Sequence, residues 1–191
     1  MIFKTKYFDL EISFYFLVII ALILSTDKTY INIYFFISIL IHELGHLLTI
    51  LYYKIKISKI SLKIYGISIE IIQKRYLANY KDILILLSGS LANFLAAIFF
   101  KHNNFIILYF TNIFLGIFNL IPIESLDGGK ILNIILFLLF PMKVAYNISI
   151  IISIFFITIF FILDFFFIIH GNFNITLSII CFILIFKILK S

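Results

Sequence analysis

ILIHELGHLLTILYY, residues 39–53, decides the reading of this chain. Almost all of it would dissolve in hydrocarbon, yet His42, Glu43 and His46 lie inside it. An ionisable side chain at the middle of a membrane helix costs roughly 3 kcal/mol or more, so three within one turn require a compensating partner. His42 and His46 are four residues apart, about 40° of rotation on a helix, so both imidazoles leave the same face one turn apart. Glu43 lies on the flank of that face, about 100° from His42 and about 60° from His46. This is the HExxH arrangement: two imidazoles for a metal ion and a carboxylate beside them to take a proton from water. A bound divalent cation provides such a partner. Gly45 costs about 1 kcal/mol of helix propensity and leaves room for another backbone or a substrate to approach.

The rest of the chain sets this helix in a membrane. Of 191 residues, 64% are hydrophobic and only 13% charged, where a soluble domain is nearer half apolar and about a quarter charged. Cys181 is the lone cysteine, so no disulfide framework or CxxC metal cluster can form within the chain, and it reads as a packing residue. The net charge of +6 does not indicate a nucleic-acid partner, because the basic residues sit in gaps between apolar runs. Asp9 and Glu11 interrupt the approach to the first run and no small-residue cleavage site follows it, so that run is expected to be retained.

Runs of about 20 apolar residues cross the hydrocarbon. They are expected near 10–25, 31–53, 82–100, 104–121, 144–168 and 173–189. The fourth is followed by a break, IPIESLDGG (121–129), and a shorter apolar run, 131–140, ended by Pro141. Pro122 and Gly128-Gly129 argue against an unbroken helix there. With the N-terminus in the cytoplasm, alternation places every basic residue except Lys28 and Lys101 inside, which supports both the count and cytoplasmic N- and C-termini. Between the second and third runs, KISKISLKIYGISIEII (56–72) alternates apolar and polar, and the phase changes at Tyr65-Gly66. It predicts a β-hairpin at the membrane surface, with Lys59 and Lys63 on its polar face, suited to anionic headgroups or, less directly, to pairing with an extended peptide. The expected fold class is therefore an all-α polytopic membrane protein with about six transmembrane helices and one small hairpin.

A catalytic zinc takes three protein ligands and keeps an open position. The carboxylates outside HELGH are Asp9, Glu11, Asp27, Glu70, Asp82, Glu124, Asp127 and Asp164. Asp127 stands out, in NLIPIESLDGG (119–129), at the break of the fourth run. Irregular backbone at membrane depth is tolerated only where it is buried in protein or lines a wet cavity. His46 is expected about 10 Å from the cytoplasmic end of its helix, a depth similar to that of the break.

HELGH together with Asn119, Pro122, Asp127 and Gly128 resembles the site-2 protease family of intramembrane zinc metalloproteases, whose pattern is HExxH and, two helices later, N-x-x-P-x-x-x-x-D-G. SGSLANFLAA (88–97) is similar to the family's Gly-x-x-x-Asn stretch through Gly89 and Asn93, with Ser90 where many members have proline. The resemblance covers roughly residues 1–140. It implies one intramembrane protease domain over 1–191, with its motifs within about 31–140, C-terminal helices over about 144–189 and no PDZ or CBS domain. It implies that His42, His46 and Asp127 hold one Zn²⁺, that Glu43 is general base and then general acid, and that Asn119 and Pro122 receive substrate. Six spans without an inserted PDZ domain look most like the sporulation branch. The implied partners are then the lipid bilayer, a membrane-associated protein substrate such as a sigma-factor precursor, and a membrane regulatory inhibitor. The implied location is the cell membrane or a mother-cell-derived forespore membrane, with the site near the cytoplasmic face.

Other polar residues read more plainly. Asp164 is expected to snorkel or to bond a neighbouring helix, His102 and His170 to be solvated in outer loops, and Asn93, Asn133 and Asn147 to associate helices. Two competing functions use the same residues. A metal carrier could employ His42, His46 and Asp127 but has no need of Glu43, and an inactive scaffold for a partner's membrane helix needs neither metal nor Glu43.

Overall fold

The first long helix among the described residues is built on the apolar run around HELGH. It spans Ile31–Tyr52 (α1), 22 residues, about 33 Å long and enough to cross the hydrocarbon. The computed structural model describes residues 2–4, 9–14, 18, 31–63, 66–71, 79–170 and 184. In chain order these give strands Ile2–Lys4 (β1) and Asp9–Ile12 (β2), α1, strands Ile57–Lys63 (β3) and Gly66–Ile71 (β4), and helices Asn79–His102 (α2), Ile106–Asn119 (α3), Asp127–Leu139 (α4) and Met142–Ile169 (α5). They fall into two compact units, Met1–Phe118 and Asn119–Ser191.

Among the described residues, three helices are long and apolar enough to cross a membrane: α1, α2 from Tyr80, and α5. They answer the second, third and fifth expected spans. The fourth run is shorter than expected, because α3 has only 14 residues, about 21 Å. Its start is set by the turn that ends α2. There Asn104 adopts φ 61°, its N–H donates to the Lys101 carbonyl at 3.3 Å, and the Phe105 N–H donates to the Phe100 carbonyl at 2.9 Å. This left-handed cap closes the helix by satisfying its last carbonyls. The first and sixth expected spans lie almost wholly outside the described residues. Where the first begins, Leu10 to Ile12 are strand rather than helix. Large apolar side chains along α5, Ile151, Phe155, Ile162 and Phe165 among them, are exposed, as they are on a lipid-facing helix.

The hairpin expected over 56–72 is present as β3 and β4, antiparallel, with Lys63 opposite Gly66 and an irregularity between Ile57 and Lys59. It belongs to a larger sheet of four strands in the order β1-β2-β3-β4. β1 pairs antiparallel with β2, and β2 runs parallel to β3 with Leu10 opposite Ile60. A parallel pair requires a long crossover, and α1 lies within it. Lys59 Nζ meets Glu11 Oε2 at 2.7 Å across this parallel pair. The hydrogen bond and charge of Glu11 raise the Lys59 pKa above its ordinary value. The Ser61 hydroxyl donates to the same carboxylate oxygen at 3.3 Å.

The sheet is held to the end of α1 by apolar burial. Ile50, Ile55 and Ile57 form a buried cluster against Leu47, Tyr53, Ile60, Ile69 and Ile85. The chain turns there through Lys54 at φ 55°, with the Ile55 N–H on the Ile50 carbonyl at 3.1 Å and the Lys54 N–H on the Leu51 carbonyl at 2.9 Å. This second left-handed cap brings Ile55 back onto Ile50, the apolar contact that accompanies such a cap.

In the second unit, α4 begins directly at Asp127. A Cβ on Gly128 would collide with the Leu120 and Ile121 backbone, and one on Gly129 with that of Ile123. The glycine pair therefore lets the helix start pack on its own preceding loop. The Glu124 N–H donates to Ser153 Oγ of α5 at 2.9 Å, which ties that loop down.

Candidate metal centre

The site grows from the close approach of α1 and α2. A Cβ on Gly45 would run into the Ser88 carbonyl and lie 2.8 Å from Ala92 Cβ, so glycine is what brings the two backbones together. The adjoining turns of α1 carry His42 and His46, both buried. Their rings meet edge to face, with centroids 4.7 Å apart and planes at 87°. Glu43 is partly buried on the same turn.

Each imidazole is held through Nδ1. His46 Nδ1 lies 2.7 Å from the Ile85 carbonyl, which can only accept, so this nitrogen carries a proton. His42 Nδ1 lies 2.8 Å from Asn93 Oδ1. Both neutral rings then present the Nε2 lone pair, and the two Nε2 atoms face each other at 3.1 Å. Two acceptors that close need a cation between them, either a shared proton or a metal ion. Two nitrogens at about 2.05 Å from one tetrahedral zinc stand about 3.3 Å apart. The spacing and the donor type both fit such an ion.

Gly89 forms the floor under this pair. A Cβ there would sit 2.5 Å from His46 Nε2 and 2.7 Å from His42 Cε1. The sequence singles out Gly89 and Asn93 together, but only as a soft motif and a helix-packing pair. What it misses is their contact with the histidines. The available signal was their spacing of four, which puts both on one face of an otherwise apolar helix.

Asp127, the expected third ligand, is the first residue of α4, buried in the second unit. Its Oδ1 pairs with Lys130 Nζ at 3.0 Å. Asn119 is the last residue of α3, and Pro122 lies in the loop that follows, partly buried. Of the other polar residues, Asp164 is buried within α5 rather than exposed. His170 is exposed past its end, and its Nδ1 lies 2.9 Å from the Phe166 carbonyl.

Comparison with known proteins agrees with this chemistry. Residues 101–163 match peptidase family M50, a stretch that contains Asp127 and leaves out HELGH. A zinc metalloprotease of Methanocaldococcus jannaschii is 33% identical over 145 residues, which cover 67% of this chain and 42% of the relative. The chain thus spans less than half of that relative's length. The structure of a site-2 protease from Methanocaldococcus jannaschii superposes with a TM-score of 0.69 at 25% identity, over 100% of this chain and 94% of that one. The chain is thus similar to peptidase family M50 over residues 101–163, to a zinc metalloprotease over part of that relative's length, and in its fold to a site-2 protease.

Proposed function

We propose that this protein is an intramembrane zinc metalloprotease that hydrolyses a peptide bond in or near the membrane segment of a membrane-associated protein. The observation that carries the reading is the facing pair of His42 and His46 Nε2 atoms at 3.1 Å inside an apolar helix. Asp127 is the third protein ligand in this reading, a role that its place in the N-x-x-P-x-x-x-x-D-G stretch supports.

His42, His46 and Asp127 would hold the ion, which would supply Lewis-acid chemistry to the scissile carbonyl and to water near neutral pH. Glu43, on the flank of the histidine face, takes a proton from the attacking water and returns it to the leaving amine nitrogen. Water enters from the cytoplasmic side, because the hydrocarbon excludes it. The substrate helix must unwind locally, since its amides are bonded within itself. Asn119 and Pro122, at the loop between α3 and α4, receive the opened segment.

A finer reading assigns the chain to the sporulation branch, acting on a sigma-factor precursor under a membrane inhibitor, with cytoplasmic termini. The sequence between HELGH and Asn119 carries no inserted PDZ domain, which supports that branch. Co-expression with such a precursor tests it, and an unprocessed precursor beside an active protease rejects it.

The decisive experiment for the general reading uses purified protein and a membrane-embedded peptide substrate. Glu43→Gln should retain bound zinc and lose cleavage by at least about 100-fold. Full cleavage by that variant would refute the mechanism. Unchanged metal transport by the same variant would favour a metal carrier instead.

A further inference from the structure

The side chain that holds His42 is itself held by two others, in an order that admits one proton arrangement. Asn93 and Asn112 are fully buried, at 0% exposure each. Asn112 Nδ2 donates to the Leu108 carbonyl at 2.8 Å, which turns Asn112 Oδ1 toward Asn93. Asn93 Nδ2 donates to that oxygen at 2.8 Å and to the Ser38 carbonyl at 2.9 Å. An amide flip at either residue would set oxygen against oxygen. Asn93 Oδ1 is therefore the only atom of this amide that can face His42 Nδ1, 2.8 Å away, and it must receive a proton from it.

We infer that Asn93, locked by Asn112 and the Ser38 carbonyl, is a positioning residue that keeps His42 in its Nδ1-protonated tautomer, so that Nε2 is committed to the metal. This rests on the metal reading proposed above. It links three helices: His42 and Ser38 on α1, Asn93 on α2 and Asn112 on α3. His46 has no such dependence, because a backbone carbonyl holds its Nδ1. The two ligands are oriented by different means, and only one of them is open to side-chain mutation.

The test uses the full chain in lipid nanodiscs, with zinc affinity measured by chelator competition. Asn93→Leu, which keeps the volume and removes the acceptor, should weaken zinc binding about 10–100-fold. Asn93→Asp, which keeps an acceptor for His42 Nδ1 and, with its other oxygen protonated, a donor toward Asn112 Oδ1, should bind more tightly than Asn93→Leu. A residue that merely packs helices would give the reverse order, and that result overturns the inference, as does an Asn93→Leu protein that binds zinc like wild type. Imidazole nitrogen NMR of the zinc-loaded wild type gives a second readout that needs no Asn93 variant to fold. It should show His42 protonated at Nδ1, and a proton at Nε2 overturns the inference. Wild type that binds zinc while these signatures fail rejects only the role of Asn93. Wild type that binds no zinc rejects the metal reading, and this inference with it.

Discussion

The polar groups buried among α1, α2 and α3 differ from those along α4 and α5. In the first set the links that lead to His42 are closed, although the buried Ser90 Oγ of α2 has no hydrogen-bond partner among the described residues. Ser38 Oγ lies 2.8 Å from Thr111 Oγ1 and donates to the Tyr34 carbonyl at 3.0 Å, while Asn93 and Asn112 complete the chain to His42. In the second set, the buried Ser149 Oγ and Asn133 Oδ1 have no hydrogen-bond partner among the described residues. A buried polar atom without a partner carries its full desolvation cost, whereas a closed network fixes one arrangement of its members. The difference separates a region organised to orient atoms from one organised to pack helices. Only the oriented region ends on the histidines.

Substitutions that break the oriented region should have the largest effects. Gly89→Ala would put a methyl group 2.5 Å from His46 Nε2. Overpacking of this kind costs about 1–3 kcal/mol in a tight core. Here the force falls on the atoms proposed to ligate zinc, so zinc content should fall by more than about tenfold, with a loss comparable to that of removing a supporting contact. Elemental analysis of the purified variant checks it, and a zinc-replete Gly89→Ala protein would show that the floor can yield. Asn112→Leu should lower stability by about 0.6–1.7 kcal/mol, the span from average to largest for an interhelical hydrogen bond in a membrane protein. Ser149→Ala removes a hydroxyl with no partner among the described residues, and should leave stability unchanged or raise it by up to about 1 kcal/mol. Equal thermal shifts for these two variants in the same nanodiscs would erase the distinction between the regions.

How much of this was legible in the sequence follows from the reach of each interaction. His42 and His46 on one face were legible because a spacing of four is a local property of the helix, and β3 and β4 were legible because alternation is local too. β1 and β2 were not. β2 pairs with β3 across α1, Asp9 opposite Lys59, and nothing near Asp9 announces a partner so distant. The apolar run around residue 10 looked instead like the start of a membrane helix. The length of α3 was missed because apolar content runs from Phe105 through Ile121, while the helix ends at Asn119 and the left-handed turn at Asn104 depends on backbone geometry. Asn93 was visible only as a polar residue in an apolar helix. Its contact with His42 needed the fold, since the two are 51 residues apart in sequence. Asp127 was marked by its motif, and the proposal that it binds zinc still stands on that motif.

Smaller effects come from the turns that frame these regions. Lys54 and Asn104 both occupy the left-handed region that glycine favours. Holding a side chain there costs an ordinary residue about 1–2 kcal/mol, and Asn least among them. Glycine gives back part of that gain through unfolded-state entropy. Lys54→Gly should therefore stabilise the protein by about 0.5–1 kcal/mol, and Asn104→Gly by less. Thermal unfolding of the two variants compares them directly. A larger gain at Asn104 would mean that its side chain does not relieve the strain.

The smallest effect belongs to the sheet, where charge rather than burial links β2 to β3. The Lys59 ammonium is solvent-exposed and sits 2.7 Å from Glu11, so salt and water screen the pair. Because Glu11 raises the Lys59 pKa in the folded protein, folding favours the protonated form. The stabilisation is fully present below the ordinary lysine value and is lost as pH rises through the higher folded value. Wild type should thus melt slightly above Lys59→Met at pH 8, and the gap should close in strongly alkaline solution. Raising the salt at pH 8 should narrow it as well. A gap that survives both treatments would show that Lys59 acts through the packing of its methylene stem, and the sheet would then resemble the histidine network less and the apolar cluster beneath it more.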